Sequence, residues 1–161
     1  MIYFDLDGVL RDLCTATLGR QALRWNEKNR GGKGIIDIVN DNPRICETAP
    51  ATEYLEVFNT FDFGREVPTI LTRQLPLWIV HTRYWLMLNV IRNYNLKIVG
   101  PESKLLYLKK GDLLVEDYPG FDDFSQIALI DRPYNREADA EQRIYKPEEL
   151  LRVLEQYKEN R

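Results

Sequence analysis

The chain has little of the chemistry on which several protein classes depend. Its only histidine is His81, so a zinc site or a Ser/His/Asp triad would depend on one residue, which disfavours both. Cys14 and Cys46 have no metal-binding spacing and are too few for a disulfide scaffold. A reducing cytoplasm is therefore the expected location.

The sequence also lacks long apolar runs and a strong charge of one sign. No stretch approaches the roughly 18 apolar residues of a membrane span, and the start shows no signal-peptide pattern. With 22 basic and 25 acidic residues the net charge is −3, so overall charge does not favour nucleic acid or membranes as partners, although a local basic rim is compatible with it. We expect one soluble domain over 1–161.

Short aliphatic runs alternate with helical patterns along the chain. The runs at 2–4, 78–80, 113–115 and 127–130 predict buried strands. Apolar spacing of three and four residues predicts helices over 51–58, 87–94 and 150–157. This order favours an α/β fold, a three-layer Rossmann-like sandwich with a central, mainly parallel sheet and right-handed crossovers.

Two stretches interrupt this alternation. Residues 14–48 predict a helix, with Leu18, Ala22 and Trp25 on one side, and then a mixed segment that ends near Pro50. A glycine-rich turn at 30–34 follows that helix; it can bind phosphate, but it lacks the P-loop order, which favours a plain flexible turn. Residues 61–76 are typical of a loop.

The most informative segment is 2–12, where an apolar run delivers two acids. Asp5 and Asp7 are two residues apart on an extended segment, so they point to the same side, and Gly8 then turns the chain. One carboxylate could attack phosphorus while the other transfers protons, with Mg²⁺ offsetting their repulsion. A calcium loop is disfavoured, since Ala16 stands where its twelfth-position Glu should be.

Polar residues follow each of the four predicted strands. Ligands of open parallel sheets bind outside the carboxyl ends of the strands, so these residues predict one crevice suited to metal-assisted phosphoryl transfer. They are Asp5, then His81, Thr82 and Arg83, then Glu116 and Asp117, and finally Asp131.

The string Asp5-Leu6-Asp7-Gly8-Val9 resembles the first motif of the haloacid dehalogenase superfamily. The resemblance implies a phosphatase in which Asp5 is the nucleophile that forms an aspartyl-phosphate. It implies that Asp7 is the general acid and base, with its backbone carbonyl on Mg²⁺. Thr82 resembles the second motif, whose hydroxyl holds the phosphoryl group, and it is also a reasonable N-cap for a following helix.

Two further motifs complete the resemblance. The acidic pair of the fourth motif reads Glu116-Asp117 here, which implies Asp117 as the direct metal ligand and Glu116 as a ligand through water. Lys104 is most similar in placement to the third-motif lysine, with Lys109 and Lys110 as competitors. The implied catalytic set is Asp5, Asp7, Thr82 and Lys104, and the implied Mg²⁺ set is Asp5, Asp7, Asp117 and Glu116.

A narrower similarity concerns residues 112–135 and 50–55, which resemble the 5'(3')-deoxyribonucleotidase group. This implies a Mg²⁺-dependent phosphomonoester hydrolase acting on a (deoxy)nucleotide. That group has a helical cap between the first and second motifs that closes over the nucleoside. The resemblance implies that 14–48 is a small helical cap insertion of this kind, but it is short, and an open crevice favours larger substrates. The alternatives are a polynucleotide 3'-phosphatase, another macromolecule-directed phosphatase of the superfamily, and a non-catalytic phosphate-binding module; the small cap disfavours a phosphomutase.

Some side chains have two open interpretations. Trp25 and Phe58 could stack on a base, although aromatic residues at helical spacing are more often core. Four arginines could bind a second phosphate or a nucleic-acid backbone, or form ordinary surface ion pairs. These are Arg11, Arg83, Arg132 and Arg136.

Overall fold

A computed structural model describes residues 1–100 and 103–160 of the chain. Its strands are β1 (Ile2–Phe4), β2 (Thr69–Arg73), β3 (Asn95–Val99), β4 (Leu113–Glu116), β5 (Ile127–Ile130) and β6 (Arg143–Ile144). They form one six-stranded sheet in the order β3-β2-β1-β4-β5-β6, and every neighbouring pair is parallel. The predicted α/β fold with a central parallel sheet is confirmed.

The helices differ in length and in position relative to the sheet. They are α1 (Leu13–Leu18), α2 (Ile35–Asp41), α3 (Ile45–Thr48), α4 (Leu55–Thr60), α5 (Ile79–Asn89) and α6 (Pro147–Glu159). Three short 3₁₀ helices cover Pro76–Trp78, Lys104–Tyr107 and Pro133–Asn135. Across the described ranges, no helix combines the length and the apolar character that crossing a bilayer requires.

The sheet has one face covered by helices and one covered by shorter segments. Side chains alternate along a strand, so Ile2 and Phe4 enter the core that α4, α5 and α6 cover, while Tyr3 points to the other face. Phe4 packs edge-on against Phe58 of α4, with ring centroids 4.9 Å apart. On the other face Tyr107, from the 104–107 turn, packs beside Tyr3.

The prediction for the last helix is confirmed. Leu150 and Leu154 lie one turn apart and are buried against the sheet. Pro147 occupies the first turn, where its missing N–H costs no hydrogen bond. The acids of the first turn and Lys158 in the last turn complement the helix dipole.

The predicted strand at 78–80 is wrong, because this segment leads into α5. The helix buries Trp85 and Leu86 but exposes Val80 and Met87, so it is apolar on both sides, and its sequence shows no helical periodicity. The second strand is instead β2, inside the region 61–76 for which the sequence predicts a loop, and β3 and β6 are likewise not predicted. The strand β2 pairs with β1 and β3.

Three predicted helices differ in extent from those observed. The helix α1 ends at Leu18, because Gly19 adopts a left-handed conformation with φ of 76°, so Ala22 and Trp25 lie outside it. The helix α4 begins at Leu55 rather than at 51. The helix predicted over 87–94 is wrong beyond Asn89, where α5 ends and extended backbone leads towards β3.

The region 14–48 holds most of α1 and all of α2 and α3. These helices share a small core of their own with the start of α5, formed by Leu13, Val39, Cys46, Ala49 and Trp78. The indole Nε1 of Trp78 donates to Asn40 at 2.8 Å. The insertion therefore packs against the helical layer through α5.

Strand order places two carboxyl ends side by side at the centre of the sheet. The chain moves from β1 to β2 on one side, and later returns to place β4 on the other side. Such a reversal opens a crevice at the carboxyl ends of the two central strands. Phe4 is in register with Val115, and the Asp5 amide donates to the Val115 carbonyl at 2.8 Å.

Candidate active site

Three carboxylates and one lysine meet where β1 and β4 end. One oxygen from each of Asp5, Glu116 and Asp117 lies within 4.8 Å of the others, and all three residues are buried. The ammonium of Lys104 lies 2.6 Å from Asp5 Oδ1 and 2.7 Å from Glu116 Oε2. The parallel register of β1 and β4 brings the three acids together, and the 3₁₀ helix Lys104–Tyr107 supplies the lysine.

The charges in this cluster do not balance. Burial raises the pKa of Asp5 well above its usual range, and the nearby Glu116 raises it further. Burial likewise raises the pKa of Glu116. Burial alone would lower the pKa of Lys104, but the charges of Asp5 and Glu116 outweigh it and raise that pKa. One cation therefore stands among three buried acids.

Asp117 is held by the segment that follows β5. The hydroxyl of Tyr134 donates to Asp117 Oδ2, and Asn135 Nδ2 donates to the Asp117 carbonyl at 2.8 Å. Burial raises the pKa of Asp117 to about 6, with a further contribution from Asp5. The Tyr134 hydrogen bond acts in the opposite direction, because it favours the carboxylate.

Gly8 allows the loop that follows β1, called the first loop below, to approach Asp117. A Cβ on Gly8 would lie 1.9 Å from Asp117 Oδ2, and the residue has a φ of 88°, so a side chain is excluded by both contact and conformation. Arg132 donates to the Gly8 carbonyl from Nε at 3.0 Å and from Nη2 at 2.8 Å. It also pairs with Glu53 at 3.1 Å. Arg132 thus fixes the loop.

The carboxylate of Asp7 lies outside the cluster of three acids. Arg11 Nε donates to its Oδ1 at 2.7 Å and Arg11 Nη2 to its Oδ2 at 3.1 Å. Gln74 Nε2 donates to Oδ2 at 2.7 Å. Arg11 is completely buried, so it is neither an exposed phosphate-binding arginine nor an ordinary surface ion-pair partner.

Thr82 does not end a strand; it lies on α5, whose N-cap is Trp78. Its hydroxyl donates to Gln74 Oε1 at 2.7 Å and accepts from Arg11 Nη1 at 3.1 Å. Both predicted placements of Thr82, at a strand end and as an N-cap, are therefore wrong, although the side chain does contact the partners of Asp7. The buried threonine near the carboxyl end of the second strand is Thr72 on β2, which accepts from Gln74 Nε2 at 3.2 Å.

The remaining candidates lie apart from the cluster. Lys109 and Lys110 are exposed, which leaves Lys104 as the lysine beside Asp5. Asp131 ends β5 as predicted but pairs with Arg143 at 2.9 Å. Phe58 is buried in the main core. Arg83 and Arg136 are exposed.

Trp25 borders the site from the insertion. Its ring contacts Tyr118 and Tyr134 edge-on, with centroids 5.0 Å and 5.5 Å apart. Trp25 is 44% exposed, whereas Trp78 and Trp85 are buried. The insertion therefore reaches the tyrosine that contacts Asp117.

Several residues of the site were not predicted as such. Thr72 and Gln74 were not predicted as site residues because the sequence predicts a loop over 61–76. The run 69–72 is nevertheless rich in β-branched and aliphatic residues, which indicates a strand. Tyr134 and Asn135 lie in the string that resembles the deoxyribonucleotidase group, and that string was the available signal. Nothing in the local sequence indicates that Arg11 pairs with Asp7 beyond their spacing of four residues.

No model of a known protein family matches the chain, and no curated protein matches it either.

Proposed function

We propose that the protein is a Mg²⁺-dependent phosphomonoester hydrolase that acts on nucleotides through an aspartyl-phosphate on Asp5. The observation that supports this most is the buried group of Asp5, Glu116, Asp117 and Lys104 at the central strand ends. The resemblance of the first motif and of residues 112–135 agrees with it. A group of buried acids has little structural value without a ligand to compensate its charge.

The residues present fit a divalent cation. When all three acids are ionised, Lys104 offsets one of their three buried negative charges, which leaves two for a divalent cation to offset. Carboxylate oxygens are the ligands that Mg²⁺ prefers. Asp5 and Asp117 would hold it directly. Glu116 would act through water, since its oxygens already accept from Lys104 and from the Asp117 amide. When bound, such a cation offsets the charge of the phosphate and orients it.

The chain's own residues supply the chemistry. Asp5 attacks phosphorus, the bond from phosphorus to the ester oxygen breaks, and Asp7 gives its proton to the departing alkoxide. Water that loses a proton to Asp7 then attacks the aspartyl-phosphate, which releases inorganic phosphate and restores Asp5. Lys104 stabilises the charge that Asp5 and the phosphoryl group share.

The test is a substrate screen with Mg²⁺ over nucleoside monophosphates, sugar phosphates and 4-nitrophenyl phosphate. We expect hydrolysis that Asp5→Asn abolishes while the protein stays folded. Asp131→Asn is the matched control, because Asp131 ends the next strand but pairs with Arg143 outside the cluster; it should retain activity. Phosphate and Mg²⁺ binding without turnover of any substrate would contradict the proposal and support a binding module.

A further inference from the structure

One segment of the chain is basic although the protein as a whole is acidic. Residues 20–33, the basic segment, contain five of the 22 basic residues and one of the 25 acids. The basic segment therefore has a net charge of +4 in a chain whose total is −3. Such segregation creates a local positive potential that the overall charge conceals.

Three cations of the basic segment have no ion-pair or hydrogen-bond partner among the described residues. Arg20 pairs with Glu27 and Lys33 pairs with Asp41. Within residues 1–100 and 103–160, three exposed cationic side chains of the segment take part in no ion pair or hydrogen bond. They are Arg24, Lys28 and Arg30.

The basic segment also forms most of a surface hollow. The hollow has a volume of about 460 Å³. Asn29 fixes the turn beside it, because its Oδ1 accepts from the amides of Gly31 at 2.9 Å and Lys33 at 3.0 Å. The residues that line the hollow are Leu18, Arg20, Glu27, Lys28, Asn29, Arg30 and Gly31.

The basic segment contacts the candidate active site through Trp25. Trp25 belongs to it and contacts Tyr134, whose hydroxyl donates to Asp117. Lys28 and Arg30 follow Trp25 by three and five residues, so their Cα atoms lie within about 18 Å of that of Trp25. An exposed aromatic ring followed by unpaired cations is the combination that binds single-stranded nucleic acids without sequence preference.

We propose that the substrate is the terminal phosphate of a single-stranded polynucleotide, whose bases stack on Trp25 and whose backbone phosphates bind Arg24, Lys28 and Arg30. This rests on the proposed phosphatase function and names its substrate class. A mononucleotide has one phosphate, which the catalytic cluster takes, and would leave these cations without a ligand. A polynucleotide supplies further phosphates that can bind these cations.

The experiment compares three substrates in the whole protein. They are 4-nitrophenyl phosphate, a deoxynucleoside monophosphate, and a single-stranded DNA of about ten nucleotides with a 3'- or 5'-terminal phosphate. The test variant is R24Q/K28Q/R30Q. We expect kcat/KM for the oligonucleotide to fall by about tenfold or more, and the slope of log kcat/KM against log salt to move from about −2 to near zero. Activity on the two small substrates should not change.

The control variant R65Q/K146Q/R152Q removes the same charge from exposed positions outside the basic segment. It should leave all three substrates unaffected. Equal losses in both variants, or no loss in either, would overturn the inference. So would a higher kcat/KM for the mononucleotide than for the oligonucleotide.

A second readout does not depend on turnover. Because Trp78 and Trp85 are buried, quenching of tryptophan fluorescence by a stacked base reports mainly on Trp25. Titration of Asp5→Asn with the phosphorylated oligonucleotide should quench the emission, and R24Q/K28Q/R30Q in the same background should weaken binding. Absence of quenching and binding, with the small substrates still hydrolysed, overturns the inference and leaves the proposed function standing. Absence of hydrolysis of every substrate, with the oligonucleotide still bound, overturns the proposed function and, with it, the polynucleotide as substrate.

Discussion

Arg11 and Asp7 form a bidentate ion pair, in which Arg11 Nε donates to Asp7 Oδ1 at 2.7 Å and Arg11 Nη2 donates to Asp7 Oδ2 at 3.1 Å. Arg11 is fully buried, whereas the Asp7 side chain is 22% exposed. Arg11 Nη1 also donates to the Cys46 carbonyl and to the Thr82 hydroxyl, both at 3.1 Å. The orientation of Asp7 therefore depends on the insertion and on α5, and we expect Arg11 to be a positioning residue.

Replacement of Arg11 by lysine keeps the positive charge but loses the bidentate contact with Asp7. If Asp7 is the proton donor, kcat on an alkyl phosphate should fall by about tenfold or more, with little change in KM. The fall on 4-nitrophenyl phosphate should be smaller, because nitrophenolate departs without a proton. Steady-state kinetics on both substrates provide the measurement.

Arg92→Lys is the control for this variant. Arg92 donates to the carbonyls of Phe58 and Phe61, within the main core. Its replacement should leave the ratio of the two rates unchanged. A loss in Arg11→Lys that is equal for both substrates would mean that Arg11 acts only on stability.

Lys104 compensates two buried acids, so its replacement by methionine should destabilise the fold. Removal of one partner from a buried ion pair typically costs about 3 kcal/mol. Because burial already raises the pKa of Asp5 and Glu116, these acids take up protons readily, and the loss should be smaller at pH 5 than at pH 8. Lys109→Met removes an exposed lysine and should change the free energy of unfolding by about 0.5 kcal/mol or less.

Urea denaturation at the two pH values measures both lysine variants. An equal loss at pH 5 and pH 8 would show that the ammonium is not what compensates the acids. A loss as large in Lys109→Met would contradict the assignment of Lys104 as the lysine of the site.

The sequence was sufficient for the class of the fold and for most of the acidic cluster. Runs at 2–4, 113–115 and 127–130 are covered on both faces, so they are continuously apolar, and the acids that follow two of them must meet when those strands are neighbours. Asp5 and Glu116-Asp117 follow this rule. The local sequence pattern therefore predicted those members of the acidic cluster that lie directly at strand ends.

The errors concern elements whose environment is set by tertiary contacts. Helix α5 is apolar on its exposed side as well, so 78–80 was assigned as a strand, and Thr82 was misplaced with it. The partners of Asp7 come from separate segments: Arg11 follows the first loop, and Gln74 follows β2. Their convergence depends on the order of strands in the sheet, which local periodicity does not specify.

The raised pKa of Asp117, about 6 against an ordinary 3.8, predicts a pH-dependent stability. Between these values the folded protein holds a proton that the unfolded chain has released, so stability falls as pH rises through this window, by about 3 kcal/mol. A divalent cation needs the carboxylate, so its stabilising effect should grow over the same range. Thermal unfolding from pH 4 to 7.5, with and without Mg²⁺, measures both trends.

Asp117→Asn should reduce the pH dependence of stability, of which Asp5 and Glu116 retain a part because their pKa values are also raised, and it should remove most of the Mg²⁺ effect. Asn retains the size of the side chain but carries no charge at any of these pH values. A Mg²⁺-induced rise in Tm that is the same at pH 5 and pH 7.5 would contradict a site built on Asp117.

Gly8 and Gly111 form a pair that separates backbone strain from steric contact. Their φ values are similar, 88° and 83°, but a Cβ on Gly8 would lie 1.9 Å from Asp117 Oδ2. A Cβ on Gly111 meets no atom of residues 1–100 and 103–160 within 4 Å. Gly111→Ala should therefore cost only the left-handed conformation, about 1–2 kcal/mol. Gly8→Ala should cost more and also displace Asp117, so it should lower phosphatase activity and Mg²⁺ affinity while Gly111→Ala leaves both intact. Equal losses of stability in the two variants, with activity retained, would show that the first loop does not approach Asp117 this closely.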